Sequence, residues 1–384
     1  MKPREAALLL VLLVGISLFT VYEYVLNRQL AELSSPYVAK AHQYKGQLHS
    51  HSVVSERYGE IGYQTPTQLV TAYKNAGYNF VAITDANTYT PDPGVAGILE
   101  IGGEEVADYR HIIALNIRSS VPLDHNAQDE ISAILAQGGV AQLAHPDYVP
   151  TQTDSSRSWP YSVLGGGLAG YNFIELASWA EGEGTPGEAN GTLGEQKWDY
   201  ILTTLGKTVY GTAVDDCHDT RGSQFNRDWV VVYANTLTVS DIVTNMKNGN
   251  FYATNGPSLS SLTISPSLFG LTISVSTDSS SVITWIGSGG STLRNSTSTT
   301  SDSYRVTGSE RYVRIRITRI TDHKIAWTQP IFVSSTLVGT SGTVHSAAAA
   351  ERSGNPRPEP SQVVLARGII AGSETSVWSR QGRP

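Results

Sequence analysis

Between residues 46 and 256, short apolar runs alternate with stretches of helical periodicity. The run at 80–84 is continuously apolar, as in a strand buried on both faces. Further strand-like runs fall at 112–115, 140–144, 173–177, 209–214 and 229–233. Helical patterns fall at 129–137, 195–205 and 239–247. Thr65-Pro66-Thr67-Gln68 predicts a helix start, with Thr65 as N-cap, Pro66 in the first position and Gln68 closing a capping box. Gly77 is placed to end that helix. Strand–helix alternation of this kind predicts a parallel sheet or an α/β barrel.

The texture changes after Pro257. Residues 259–333 are rich in Ser and Thr, and Tyr312-Val313-Arg314-Ile315-Arg316-Ile317 alternates with period two. That pattern predicts a small antiparallel β domain over 258–333. From 334 to 384 the chain is rich in Ala, Ser, Gly and Pro, which predicts a disordered tail. At the other end, Lys2 and Arg4 precede an apolar run at 6–22, extended by Tyr24, Val25 and Leu26. The run exceeds the roughly 7–15 residues of a secretory signal core and approaches the roughly 20 that span a bilayer. Residues 1–27 therefore predict an uncleaved signal anchor with the body of the protein outside the cytoplasm; a cleaved signal peptide is the alternative. Residues 28–45 have the polarity of a stalk.

Composition narrows the chemistry. The 384 residues suffice for a catalytic domain at 46–257 plus a smaller module. Net charge is −7 and no Lys/Arg run occurs, which argues against a nucleic-acid partner. A single cysteine, Cys217, rules out an internal disulfide and a cysteine-based zinc site. Any metal must be held by His and carboxylates.

The nine histidines divide into two sets. His42, His125, His323 and His345 have polar surroundings. The other five stand at the ends of apolar runs, each beside Asp, Glu or another His. In His49-Ser50-His51 the two imidazoles share one face of a strand. Asp216-Cys217-His218 repeats the spacing after the run at 209–214, with Cys217 turned away as a small packed residue. His145 ends the run at 140–144, and Gly103-Glu104-Glu105-Val106 precedes His111. Strand carboxyl ends are where α/β folds build active sites. Each motif alone is more often structural. Together, His49, His51, Glu105, His111, His145, Asp216 and His218 predict a metal centre.

Competing motifs fail. No G-x-S-x-G elbow occurs. Gly206-Lys207-Thr208 would need a P-loop glycine where Ile201 stands, inside a helical pattern. No G-x-G-x-x-G follows a strand in the right context. Asn190-Gly-Thr and Asn295-Ser-Thr are sequons that matter only in a glycosylating host.

In order, Leu48-His49-Ser50-His51-Ser52, Ala82-Ile83-Thr84-Asp85, Gly103-Glu104-Glu105-Val106, Ala144-His145-Pro146 and Asp215-Asp216-Cys217-His218-Asp219 resemble the PHP (polymerase and histidinol phosphatase) superfamily. Trp229-Val230-Val231-Val232, the stretch Phe251-Tyr252-Ala253-Thr254-Asn255-Gly256-Pro257 and Ala326-Trp327-Thr328-Gln329-Pro330-Ile331-Phe332-Val333 resemble its CehA/McbA-type branch. The resemblance spans about residues 46–333. It implies a distorted (β/α)7 barrel and a site for two or three zinc, manganese or iron ions. It also implies hydrolysis of phosphoesters in many members, and of other esters, amides or carbamates in some. By position, His49, His51, Glu105 and Asp216 would hold one metal and His111 and His145 a second, with Glu105 between them. Asp216 and His218 would serve catalysis, and Arg221 and Arg227 would clamp the phosphate of a small anionic substrate; Arg110 reads as an ordinary surface arginine.

One departure concerns a third metal. The family's Thr-Asp-His reads Thr84-Asp85-Ala86-Asn87 here, and Ser55-Glu56-Arg57 replaces its Ser-Asp-Gly. Ala86 coordinates nothing. Glu56 still offers an oxygen, with Asp85 or Asn87 as candidate partners. The alternative to an enzyme is a degenerate module that binds ligands at the cell surface.

Overall fold

A computed structural model describes residues 30–56, 61–147, 158–178, 193–267 and 270–338, together with three short strands, Val344–Ser346, Gln362–Leu365 and Ser376–Val377. The strands β1 (Leu30–Ser35), β2 (His42–Gln47), β3 (Phe80–Val81) and β4 (Leu99–Glu100) come first. Helix α1 (Pro66–Asn75) lies between β2 and β3. It starts as its sequence dictates: Gln68 N–H donates to Thr65 Oγ1 (3.3 Å) and Thr65 N–H to Gln68 Oε1 (3.0 Å). Gly77, at φ +82°, takes the left-handed conformation beyond its end.

A second group follows: β5 (Gly103–Ala107), β6 (His111–Leu115), α2 (Ala127–Ala136), β7 (Val140–Leu143), α3 (Tyr161–Leu164), β8 (Tyr171–Ala177), α4 (Leu193–Thr203) and β9 (Tyr210–Ala213). These five strands form one sheet in sequence order. Then come β10 (Trp229–Ala234), α5 (Val239–Lys247) and β11 (Phe251–Thr254), which rejoin β2 in the other sheet.

The architecture is mixed α/β with few helices and large sheets, and it corrects the expected (β/α)7 barrel. Only β2–β3–β4 and β7–β8–β9 pair in parallel. Strands β5, β6 and β7 are antiparallel, as are β2, β10 and β11. Three residues, 108–110, separate β5 from β6, too few for the crossover that parallel pairing needs. The two sheets meet through isolated parallel bridges, Ser50–Cys217 and Ala86–Glu105, not through a closed ladder. Those bridges lie beside the His49/His51, Asp216/His218 and Glu105 motifs.

Between the sheets a core of Leu48, Phe80, Ala82, Ile113, Val140, Phe173, Val230 and Phe251 excludes water. Gly46 is part of its design, since a Cβ there would fall 1.9 Å from the Phe80 ring. Helices α2 and α4 cover the outer face of the second sheet around Ile131, Ile134, Trp198 and Ile201.

The C-terminal strands β12 (Leu259–Ser267), β13 (Gly270–Ile286), β14 (Thr292–Arg305), β15 (Tyr312–Arg319), β16 (Ile325–Thr328) and β17 (Ile331–Val338) are antiparallel, as the alternation predicts. They do not form a detached module. Strand β16 pairs with β11 (Tyr252 opposite Thr328), so one hydrogen-bonded sheet runs across residue 257.

The stalk expected at 28–45 is a correction of the same kind. Strand β1 pairs with β17, Leu33 and Tyr37 are buried, and the Tyr37 hydroxyl accepts from Gln329 N–H (2.6 Å) and donates to Phe251 O (3.2 Å). Within the expected tail, the three short strands pair with β17, β1 and β12; most of its remaining residues lie outside those described. The expected anchor lies outside them too; among the described residues no helix is long and apolar enough to cross a membrane.

Candidate metal centre

Strand ends and left-handed residues aim the predicted ligands at one point. His49 and His51 leave the end of β2 as the alternation predicts, and both are fully buried. Asp216 (φ +49°) and His145 (φ +27°) adopt backbone conformations that non-glycine residues rarely take. Strain of this kind costs about 1–3 kcal/mol per residue and persists where surrounding structure enforces it.

The geometry yields two groups of three ligand atoms: His49, His51 and Asp216, and Glu105, His111 and His145. In the first, the Nε2 atoms of His49 and His51 are 3.2 Å apart, and each is 3.3 Å from Asp216 Oδ1. In the second, Glu105 Oε1 lies 2.7 Å from His111 Nδ1 and 3.2 Å from His145 Nε2. Glu105 also reaches the first group, 3.5 Å from His49 Nε2 and 3.6 Å from His51 Nε2. It therefore sits between the two groups.

The donor set fits divalent cations. His49 Nδ1 is 2.9 Å from Glu175 Oε1; an ionised carboxylate only accepts, so Nδ1 carries the proton and Nε2 turns a lone pair inward. Without a cation, lone pairs and carboxylate oxygens would face one another. Buried Glu105 Oε2 accepts no hydrogen bond, which leaves it available as a ligand. The electrostatics carry the same mark. Burial works against ionisation of both Glu105 and Asp216, yet the histidines hold both carboxyls well below the usual carboxylate range: His111 and His49 for Glu105, His49 and His51 for Asp216. Burial also opposes the charged form of His49, but Asp216, Glu175 and Glu105 raise it well above the ordinary imidazole value. All-nitrogen-and-oxygen donors suit zinc, iron or manganese.

His218 stands outside both groups. Its ring stacks on His51 (centroids 4.3 Å apart), and its Nδ1 is 3.1 Å from the Asp216 carbonyl oxygen. Cys217 is buried between the two motif residues and closes the bridge to Ser50.

The remaining expectations are placed as follows. Glu56 is exposed, its backbone N–H donates to Ala86 O (2.9 Å), and it belongs to neither group. Asp85 is absorbed by donors: Ser52 N–H (2.5 Å), Ser52 Oγ (2.7 Å), Ser55 Oγ (3.1 Å) and Thr90 Oγ1. Asn87 is tied to both the N–H and the carbonyl of Ala107. The described residues therefore assemble two ligand groups and no third. Arg221 is exposed and forked onto Asp219 (2.8 and 2.9 Å), so its charge is already matched. Arg227 is half-buried, with its N–H on Asp215 Oδ1 (2.8 Å) and Nη1 on Ser223 O (3.4 Å). Arg110 lies beside the Tyr109 and Trp159 rings and donates to Ser158 O.

Sequence reasoning missed the residues that hold the ligands. Glu175, fully buried in β8, accepts from His49 Nδ1, from His145 N–H (2.6 Å) and from Gln142 Nε2 (2.8 Å). Its signal was an acid inside an apolar strand. Gln47 Oε1 accepts from the N–H groups of Leu48, His49 and Asp215, tying the two histidine-bearing motifs together. Asp215 accepts from Tyr73 Oη and from the N–H groups of Asn226, Arg227 and Asp228. Burial pushes its carboxyl up to about 6, against the pull of those N–H groups.

No protein-family model matches the chain, and no curated protein matches it. Solved structures do. A two-domain protein from Bacteroides vulgatus, described as containing a predicted PHP-like metal-dependent phosphoesterase, is 17% identical at a TM-score of 0.43, over 80% of this chain and 99% of its own. An endonuclease Q bound to a duplex with an abasic lesion is 14% identical at 0.38, over 54% of this chain and 57% of its own. An amidohydrolase from Chromobacterium violaceum is 16% identical at 0.32, over 45% of this chain and 87% of its own. Overlap this loose specifies neither substrate nor reaction.

Proposed function

We propose that the protein is a metal-dependent hydrolase of the PHP type, in its CehA/McbA-like branch, with phosphoesters as the preferred substrate class. The observation that carries this reading is the convergence of four imidazoles and two carboxylates on one buried point, with Glu105 between the two groups and its Oε2 unbonded. His49, His51 and Asp216 would hold one cation, and Glu105, His111 and His145 the other. Divalent cations held there would supply Lewis acidity and bring the pKa of a bound water toward neutrality.

The chain's own residues do the rest. Glu175 keeps the His49 tautomer and the His145 backbone in place. His218, fixed through Nδ1, offers Nε2 to hand a proton to the departing oxygen. The Arg221–Asp219 pair makes a phosphate clamp from Arg221 a weaker assignment than Arg227. Anchoring by residues 1–27, which would put this site outside the cytoplasm, rests on the sequence pattern alone.

The test is metal analysis of the purified protein, followed by a screen of phosphate mono- and diesters against carboxylic esters and amides. Two transition metals per chain and phosphoester turnover that disappears in His49→Ala/His51→Ala support the reading. Absence of stoichiometric metal, or turnover untouched by the double variant, sinks it. Buried Ala86 and the fully engaged Asp85 favour a second reading, a metal-loaded binding protein without turnover. A large gain of activity in Ala86→His would support that reading.

A further inference from the structure

A lysine is buried beside the turn that carries His145. Lys197 of α4 is 6% exposed, and its ammonium donates to the Pro146 carbonyl oxygen and to Asp147 Oδ1, both at 2.5 Å. Burying an ammonium is costly unless it is paired, and an apolar side chain filling the same space would avoid that cost. Both of its partners directly follow His145 in the chain.

That turn needs a hold that the first ligand group does not. The strand ends carrying His51 and Asp216 are joined by backbone, with His51 N–H donating to Cys217 O (2.8 Å), and Gln47 Oε1 ties them again through the N–H groups of His49 and Asp215. His145 instead stands past the end of β7 in a left-handed conformation, at φ +27°. Pro146 then has no N–H to give. Its carbonyl oxygen pins the turn, accepting from Trp159 N–H (2.7 Å) as well as from Lys197. The same segment reaches the other histidine of the group: Ser158 O accepts from Arg110, the residue before His111. Glu175 holds the turn at the His145 N–H (2.6 Å), and Lys197 holds it one residue later.

We propose that Lys197 is a positioning residue for the second cation. By pinning the turn after His145, it sets how tightly Glu105, His111 and His145 hold their metal, and it leaves the group of His49, His51 and Asp216 unaffected. This role rests on the two-metal reading of the site and not on the reaction assigned to it. Without the ammonium, His145 is released to relax from its strained backbone conformation, and its Nε2 loses its fixed place 3.2 Å from Glu105 Oε1. Outer partners of this kind act on metal affinity through the ligand they orient.

The test uses the full chain in detergent, stripped of metal and titrated with zinc against a metallochromic chelator. The wild-type chain should take up two zinc ions. Lys197→Met should keep one at wild-type affinity and hold the other about 10–100-fold more weakly. Two backgrounds assign the loss to a site. With His49→Ala/His51→Ala, which leaves the second group, Lys197→Met should show the whole loss; with His111→Ala/His145→Ala, which leaves the first, it should show none. A lysine that merely supports the fold would weaken zinc alike in both. Asp147→Asn, which weakens the pairing without removing the lysine, should give a smaller loss in the same direction, and it decides the matter if Lys197→Met does not fold. Two zinc ions at wild-type affinity in the variant, or equal weakening of both, overturns the proposal and leaves the two-metal reading standing. A wild-type chain that takes up fewer than two zinc ions removes that reading and this role with it.

Discussion

Two clusters of charge are buried in this protein, and they differ in whether the protein completes them. Behind the second sheet, Arg314 of β15 forks onto Asp199 of α4 (2.6 and 2.9 Å) and reaches Glu195 (2.9 Å). Trp327 Nε1 and Arg316 complete Glu195, and the Tyr312 hydroxyl completes Asp199. Two cations face two carboxylates, and burial's upward push on the Glu195 carboxyl is outweighed by Arg314 and Arg316. At the metal centre, Glu105, Asp216 and Glu175 are just as deeply buried. Among the described residues no Lys or Arg pairs with them; only imidazoles do. Burial of charge is therefore no mark of function by itself. The mark is a cluster that stays incomplete without something from outside.

The largest effect should come from removing what completes the open cluster. His49→Ala with His51→Ala should lower bound metal below two per chain and cut turnover of any ester substrate by at least about 10³-fold, several kcal/mol of transition-state stabilisation. Thermal stability of the metal-free protein should change far less than that of the loaded one. A double variant that keeps both its metals and its activity would break the comparison. The closed cluster should answer in the opposite way. Arg314→Met leaves two buried carboxylates short of their main cation and should cost about 3–5 kcal/mol of stability by urea denaturation. Metal content should be unchanged. Metal loss on that substitution would mean the two clusters are coupled.

A finer test asks how far the open cluster depends on its supports. Glu175→Gln keeps the shape of the side chain but weakens its hold on the protonated Nδ1 of His49 and on His145 N–H. Loss of such a supporting carboxylate typically costs about 10–100-fold in metal affinity. Competition with a metallochromic chelator would measure it. Unchanged affinity would reduce Glu175 to a packing residue.

The convergence of the candidate ligands was legible in the sequence because strand ends present side chains in a way local spacing records. His-x-His and Asp-x-His at strand ends needed no tertiary knowledge to share a face. Glu175 was not legible, because an acid within an apolar run has no local signature that separates support from surface. Alternation placed Arg314 and Arg316 on one face of β15, ordinarily the solvent face; in the structure α4 covers it. Strand β1 was missed because its partner lies 300 residues away, Leu33 opposite Val333. Alternation predicted a parallel sheet or an α/β barrel, while the turn at 108–110 imposes antiparallel pairing that alternation does not encode.

The smallest effect tests a buried acid that belongs to neither cluster. Glu100 on β4 is buried, its Oε1 accepts no hydrogen bond, and burial, with Asp92 adding to it, pushes its carboxyl up to about 8. In the unfolded chain the same group titrates near 4.5. Between those values the native state holds a proton that the unfolded chain releases, so stability is greatest below about pH 4.5 for this group and declines as pH rises toward 8. Glu100→Gln should remove that decline, on the order of 1 kcal/mol between pH 5.5 and 8.5 in urea denaturation of the metal-loaded protein. Metal occupancy should be unaffected. An unchanged slope in the variant would assign the pH dependence to the metal centre, because His49 is also raised in the metal-free protein and contributes with the same sign above pH 6.5. Repeating the measurement without metal separates the two: the histidine contribution should grow, and the Glu100 contribution should stay as it was.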